Sequence, residues 1–417
     1  MKVRWWPWRV SPVSREASGM RVVVMLKTAE GGRWIVPQVE ELCRRGNEVI
    51  VVLPAGPGRL REQLRRAGVP MVDSPFQFRF RPTPTTAAQL WSLRRLLRRL
   101  RPDVVHYHHY HAALAVRLSL SGLDMVRIFM VPGPLFLEST PIRTAERFLA
   151  RLDDLVIAGS AHTADRYRSL GRRADALAVV PYGVDTRLFR PADAATRAAA
   201  RRRLGLPADV FVVVMVAYVY APKAMVHRGT GIKGHDVLLA AWRSFTRDCP
   251  RSRLILVGGG WDAAGEEHRR ELMRRFDVAA DPTVDWFAGV IDVRQYYAAA
   301  DVSVSPSRSE NHGAALEAGA CGVPSVVSDA GGLPETVNGD SGWVAPTGDV
   351  EALAAALRGA HAEFRSGRLA RRSLAAREHI EQRFDSGDCA RAVADLIETT
   401  GGRQPAPRRR PAAAPVG

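Results

Sequence analysis

SPSRSENHGAALEAGACGVPSVVSDAGGLPE, residues Ser305–Glu335, decides the fold of this chain. It opens inside a strand pattern, DVSVSPS (Asp301–Ser307), and continues into a short helical pattern, AALEAGACG, closed by Gly322 and Pro324. A second strand pattern, PSVVSD (Pro324–Asp329), follows at once. Strand, loop, helix and strand in so short a span form the unit of a parallel sheet. In such a unit, ligands meet the loop at the strand's carboxyl end. Here that loop is Glu310–Gly313, and the helix N-terminus beyond it offers unpaired N–H groups that suit a diphosphate. Gly313 lets the backbone come close, and Gly331-Gly332 adds a glycine pair at the next strand end. Glu317, about one turn into the helix, is placed to accept two hydrogen bonds from a ribose diol. Glu310 is placed to hold hydroxyls of a transferred sugar. Either glutamate alone reads as a solvated or dipole-favoured charge. Together with the glycines they point to a sugar nucleotide.

The same alternation runs along the chain. RVVVML (Arg21–Leu26) reads as a buried strand, followed by a Gly31-Gly32 turn, a helix over Arg33–Arg45 and a stop at Gly46. EVIVVL (Glu48–Leu53), DVVHY (Asp103–Tyr107), VRIFMV (Val126–Val131), DLVIA (Asp154–Ala158) and LAVVP (Leu177–Pro181) continue the series. YGVDTRLFRPAD (Tyr182–Asp193) reads as an irregular linker. VFVVVMVA (Val210–Ala217) and RLILVGGG (Arg253–Gly260) then restart the pattern. The expected fold is α/β, with two Rossmann-like, doubly wound parallel-sheet domains facing across a cleft. The expected parts are a basic, Trp-rich, disordered head (1–19), an acceptor domain (20–184), a nucleotide-sugar domain (185–385), a C-terminal helix (386–400) packing back on the first domain, and a disordered tail (401–417).

The bulk numbers agree with a soluble globular protein of 417 residues, 46% hydrophobic and 25% charged. No run of apolar residues is long enough to span a membrane, and the basic start lacks the apolar core of a secretory signal. Met20 directly precedes the first strand and stands as an alternative start. Four scattered cysteines suggest neither a disulfide framework nor a zinc site and fit a reducing cytoplasm. The net charge of +17 suggests anionic partners. Yet only four of the 60 basic residues are lysines, and the competing reading is that much of that charge is arginine background from codon bias. LWSLRRLLRRLRPD (Leu90–Asp103) and the tryptophans of the head carry an expectation of peripheral contact with an anionic membrane surface. A solvated helix face is the plainer reading of the former. No basic–aromatic module argues for specific nucleic-acid binding.

These pieces, taken in order, resemble the retaining glycosyltransferases of family 4, which share the two-domain GT-B fold. The resemblance covers roughly residues 20–395. EGG (Glu30–Gly32), RRGNEVIVV (Arg44–Val52), RPDVVHYH (Arg101–His108) and VVPYGVDTRLFRP (Val179–Pro191) match in the first half. IKGHDVLLAAW (Ile232–Trp242), LILVGGG (Leu254–Gly260), YAAADVSVSPSRSE (Tyr297–Glu310), LEAGACGVPSVVSDAGGLPE (Leu316–Glu335) and GWVAPTGD (Gly342–Asp349) match in the second. No single piece is specific; their order is.

The resemblance implies transfer from an NDP-sugar, UDP- or GDP-linked, to a hydroxyl acceptor in bacterial glycan, glycolipid or metabolite biosynthesis. It implies a hexosyltransferase with no cofactor and no metal, the nucleotide sugar being substrate. It puts Glu317 on the ribose, Glu310 on the donor sugar and Lys233 on the diphosphate, with Gly31, Gly32, Gly258, Gly259, Gly313, Ala314 and Leu316 lining the donor site. Two of the four lysines, Lys223 and Lys233, fall in one loop of an arginine-biased chain, which favours a selected ammonium there. Three departures stand out. Six residues, NHGAAL, separate Glu310 from Glu317, where the family usually has seven. The family arginine five residues before the lysine matches Arg228, while Lys223 lies nearer the strand end, and the choice stays open. VPGPLFLE (Val131–Glu138) stands where the family often has a histidine. In HYHHYH, His106 and His108 share a face if the strand continues, and read as acceptor-cleft residues, with plain packing as the alternative, rather than as metal ligands. The competing expectations are a catalytically silent, membrane-surface nucleotide-sugar sensor and a sugar-nucleotide epimerase of the same fold.

Overall fold

Thirteen strands among the described residues form two separate sheets, all of whose pairings are parallel. The computed structural model describes residues 19–78, 80, 83–222 and 230–402, with Arg33 described by its backbone alone. Lys223, Arg228, the three tryptophans of the head and the tail beyond Gly402 therefore lie outside the described residues, while Gly401, expected in the tail, ends the C-terminal helix.

The first sheet contains β1 (Arg21–Met25), β2 (Glu48–Leu53), β3 (Met71–Asp73), β4 (Val104–His108), β5 (Val126–Val131), β6 (Leu155–Ala158) and β7 (Leu177–Val179), in the order β3-β2-β1-β4-β5-β6-β7. The second contains β8 (Phe211–Val216), β9 (Ser252–Val257), β10 (Val284–Phe287), β11 (Val302–Ser305), β12 (Ser325–Ser328) and β13 (Gly342–Ala345), in the order β10-β9-β8-β11-β12-β13. Each order reverses direction next to its first strand, as in a doubly wound sheet.

Both sheets are covered on both faces, which is why the central strands read as unbroken apolar runs. In β1, Val22 and Val24 enter one core while Val23 and Met25 enter the core on the opposite face. In β8, Phe211, Val213 and Met215 pack on one side, Val212 and Val214 on the other. The strand period of two thus supplies both layers from one short run.

The chain passes between the domains twice, and the two passages pair. Val184 N–H donates to Phe384 O (2.8 Å) and Ser386 N–H donates to Val184 O (2.9 Å). After the second passage, the helix Ser386–Gly401 lies on the first domain, where Cys389, Val393, Ala394 and Ile397 join its core. Arg45 fixes that helix through Asp395 (2.6 Å) and Glu398 (2.9 Å), and Asn47 donates to Glu398 (2.8 Å). No helix among the described residues is long and apolar enough to cross a membrane.

Candidate active site

The loops at the carboxyl ends of β8 and β11 meet because those strands are neighbours in one parallel sheet. Lys233 comes from the first loop and Glu310 from the second, and the Lys233 ammonium bonds the Glu310 carboxylate. Burial opposes the charge on Lys233, but Glu310 and Tyr220 outweigh it and hold the amine above its ordinary range. Arg308 ties the two loops together. Its guanidinium forks onto Asp236 (2.8 and 2.7 Å) and also reaches Gly231 O (2.9 Å).

Glycine is required at two points around Glu310. Gly313 has φ of +53°, and a Cβ there would lie 2.9 Å from Glu310 Oε2. Gly331 has φ of +59°, and its Cβ would stand 1.9 Å from Glu310 O. A side chain at either position meets both the sterics of the left-handed region and the loop itself.

The helix that follows is Ala315–Ala320, six residues long, with Ala314 at its N-cap. With so few aligned peptides, its N-terminus is a weaker anion site than the sequence suggests. Glu317 lies in its first turn and accepts from the Tyr297 hydroxyl (3.2 Å), which also donates to Ala314 O (3.3 Å). Leu316 is buried beside it.

Two cavities flank Glu310 and Asn311. The first, about 740 Å3, contains Glu317, Leu316 and Gly313 from the second domain, Glu40 and Arg66 from the first, and the crossing segment at Tyr182–Asp185. The second, about 770 Å3, contains Lys233, Tyr220 and Ile232 opposite Tyr110, Phe136 and Ile142. Trp34, Pro132, Glu310 and Asn311 border both.

Other expected residues fall elsewhere. Gly31 faces the second domain, where a Cβ would come within 3.4 Å of the Trp261 ring, and Gly32 lies beside Trp34. Gly258 and Gly259 line neither cavity. Gly258 O instead accepts from the Trp286 indole (2.9 Å), and Gly259 lies near Ala288. The acceptor-cleft reading of His106 and His108 is corrected. Both share one face of β4, with ring centroids 4.4 Å apart, but both are fully buried. Trp34 and Tyr182 cover that face, the Tyr182 hydroxyl lying 3.1 Å from His108 Nδ1. Burial pulls His106 down to about 4. His109, directly after the strand, and His111, in the first turn of the helix Tyr110–Ser119, are the histidines that reach the second cavity.

Contacts between the domains were not evident in the sequence. Asn311 Nδ2 donates to Gly159 O (3.0 Å). Glu335 accepts from Ala161 N–H (3.1 Å) and His162 N–H (3.0 Å), capping the first-domain helix Ala161–Ser169. Burial works against the Glu335 charge, but His312 and these amides hold its carboxyl below the usual range. Arg59 donates to the Tyr218 hydroxyl (3.2 Å). The adjacency of Asn311 and His312 to Glu310 was the one available signal for this closure. Among the described residues no group of three or more His, Cys, Asp or Glu is arranged to hold a metal.

A family model described as Glycosyltransferase Family 4 matches residues 32–188, and one described as Glycosyl transferases group 1 matches residues 223–362. A D-inositol 3-phosphate glycosyltransferase of Xylanimonas cellulosilytica is 30% identical over 326 residues, 73% of each chain.

The chain belongs to glycosyltransferase family 4.

Another relative, a D-inositol 3-phosphate glycosyltransferase of Saccharomonospora viridis, is 37% identical over 60% of this chain and 56% of its own. A GDP-mannose-dependent alpha-(1-6)-phosphatidylinositol monomannoside mannosyltransferase of Mycolicibacterium smegmatis is 34% identical over 52% of this chain and 55% of its own. The chain thus spans about half the length of several curated relatives it matches. Among solved structures, Anabaena HepE with UDP and glucose superposes with a TM-score of 0.75 at 20% identity, covering 91% of this chain and 100% of that one. A Rickettsia africae glycosyltransferase gives 0.75 at 17% identity over 92% and 99%. Both likenesses establish the GT-B fold.

Proposed function

We propose that this family 4 protein is a retaining glycosyltransferase that moves a sugar from a UDP- or GDP-sugar to a hydroxyl acceptor. The observation that carries the reading is Glu310, which borders both cavities while bonded to Lys233. The nucleoside belongs on the Glu317 side, where two carboxylate oxygens meet a ribose diol. The diphosphate belongs at Lys233, and the sugar at Glu310. The bond from the sugar's anomeric carbon to the diphosphate oxygen breaks as the bond to the acceptor oxygen forms. The acceptor proton passes to the departing diphosphate, whose growing charge Lys233 stabilises. Attack on the face the diphosphate leaves retains configuration and needs no enzyme nucleophile. The protein supplies cationic charge at the leaving group, so turnover is expected to survive a chelator.

Calorimetric titration of UDP and GDP into wild type and Glu317→Ala tests the reading. Binding that prefers one base, persists in salt and is lost in the variant supports it. Equal binding by the variant removes the ribose assignment, and no binding of either nucleotide removes the donor site.

A second feature favours a peripheral membrane location. Trp91 is 58% exposed with the Arg95 guanidinium 4.7 Å from its ring, on the helix Pro84–Leu100 whose last turn carries Arg98 and Arg99. Exposed indole beside guanidinium suits an anionic lipid surface. Co-sedimentation with phosphatidylglycerol vesicles, lost in Trp91→Ala, is the expected result. Equal sedimentation of both proteins removes this reading.

A further inference from the structure

The second cavity has a composition unlike the first. The segment after β5 turns Pro132, Leu135 and Phe136 into it, and Ile142 and Tyr110 complete that wall. The Tyr110 ring stacks on Phe136, with centroids 4.7 Å apart and planes at 16°. Across the cleft stand Tyr220 and Ile232. The result is a concave, largely aromatic and aliphatic surface, the usual chemistry of a small-molecule site.

Several polar atoms of this lining are buried and lack a partner among the described residues. Ser139 and Ser309 are 4% and 5% exposed, and among the described residues neither hydroxyl has a hydrogen-bond partner. The same holds for Asn311 Oδ1 and His109 Nδ1. Burial, reinforced by Lys27, pulls His109 down to about 3, so its ring is neutral at ordinary pH. A buried polar atom without a partner is costly, and a ligand that brings the missing hydrogen bond recovers that cost.

Anion recognition asks for something else. Phosphate sites use charge-assisted donors, commonly the bidentate guanidinium of arginine. The described lining of this cavity contains two ammonium groups, Lys27 and Lys233. Lys233 is already bonded to Glu310, and in the proposed transfer it serves the donor's diphosphate.

We propose that this cavity takes an acceptor whose hydroxyl is carried on a neutral, apolar ring or chain. Tyr110, Leu135, Phe136 and Ile142 hold its apolar part, and Ser139 and Ser309 bond its oxygens. A polyol phosphate, the acceptor class in the names of several relatives, has no apolar part for this lining to hold. The inference rests on the proposed glycosyl transfer and specifies its acceptor side. The acceptor O–H replaces the diphosphate at the anomeric carbon, and its proton leaves with the diphosphate, as above.

The test separates the two claims. Binding of UDP and GDP is measured first by calorimetry, as a report on the donor site alone. With the preferred nucleotide bound, 2-naphthol, 4-nitrophenyl β-glucoside and octyl β-glucoside are titrated against methyl β-glucoside and D-inositol 3-phosphate. The expected result is that at least one apolar probe binds about tenfold or more tighter than both polar ones. Leu135→Asp is expected to weaken that probe about tenfold while nucleotide affinity, which also reports folding, stays unchanged. Phe136→Ala is the second variant should Leu135→Asp fail to fold, with the same expectation. Tighter binding of D-inositol 3-phosphate, equal binding of all probes, or an apolar probe indifferent to both variants overturns the inference and leaves the donor site standing. Loss of nucleotide binding alone, with apolar probes still bound, overturns the proposed function instead.

Discussion

Lys233 and Glu310 are bonded to each other across the ends of two neighbouring strands, although 77 residues separate them in sequence. Each neutralises the other. During the proposed reaction each is released to a different part of the donor, the ammonium to the diphosphate and the carboxylate to the sugar. The pair thus keeps two mostly buried charges compensated until substrate arrives.

Lys233→Ala is expected to lower kcat/KM by about two to three orders of magnitude, because the leaving group loses its principal cation. Lys233→Arg is expected to restore little, since a planar guanidinium does not fit a site built for a compact ammonium. Steady-state kinetics with the matching NDP-sugar check this. A variant with near wild-type kcat/KM would show that the charge is stabilised elsewhere.

Glu335→Ala removes a carboxylate that caps a helix of the opposite domain. The expected loss is about 1 kcal/mol of stability, typical of a helix cap. A larger radius of gyration by small-angle scattering is expected as well, because the closed arrangement loses a contact. An unchanged radius would mean that Asn311 and Arg59 hold the domains together without it.

Arg117, Glu146 and Asp153 form a fully buried ionic group, with Arg117 bonded to Glu146 (2.7 and 2.9 Å) and to Asp153 (2.5 Å). The Tyr167 hydroxyl donates to Glu146 (2.7 Å) and that of Tyr107 donates to Asp153. Arg117→Ala leaves two carboxylates buried without their cation and is expected to cost about 3–5 kcal/mol in urea unfolding. A cost under about 1 kcal/mol would mean water reaches the site.

Acid is expected to destabilise the protein before its surface carboxylates titrate. Burial pulls His106 to about 4 and His109 and His235 to about 3. Above the unfolded value of about 6.5 both states are neutral and stability is full. As pH falls from there toward the folded values, the unfolded chain takes up protons that the native state refuses. Stability therefore falls by up to about 1.4 kcal/mol per histidine per pH unit. Urea midpoints measured between about pH 7 and pH 5 should decline steadily. A flat profile would show that water reaches these rings.

Much of the fold is legible because both faces of the central strands are buried, which leaves a continuous apolar signal. The strands missing from the sequence reading are β3, β10 and β13, each of which lies at a sheet edge and spans three or four residues. An edge strand pairs on one side only, so its pattern is short and mixed. At the candidate site, the loop that carries Glu310 and Gly313 is legible from its place at a strand end, Glu317 from the helix that follows, and Lys233 only from the family resemblance. The histidines are not. The period of two puts His106 and His108 on one face, but only the folded chain shows that Trp34 and Tyr182 seal it.

Local order in the sequence determined the two α/β halves, the glycine positions and the strand-end loops, because hydrophobic period and backbone freedom act over a few residues. Tertiary structure alone decided which loops meet, which histidines are sealed and what lines each cavity. Those outcomes depend on the packing of segments far apart in the chain. The pairing of Asn311 with Gly159 and of Glu335 with Ala161 joins residues more than 150 apart, a relation that no local pattern encodes.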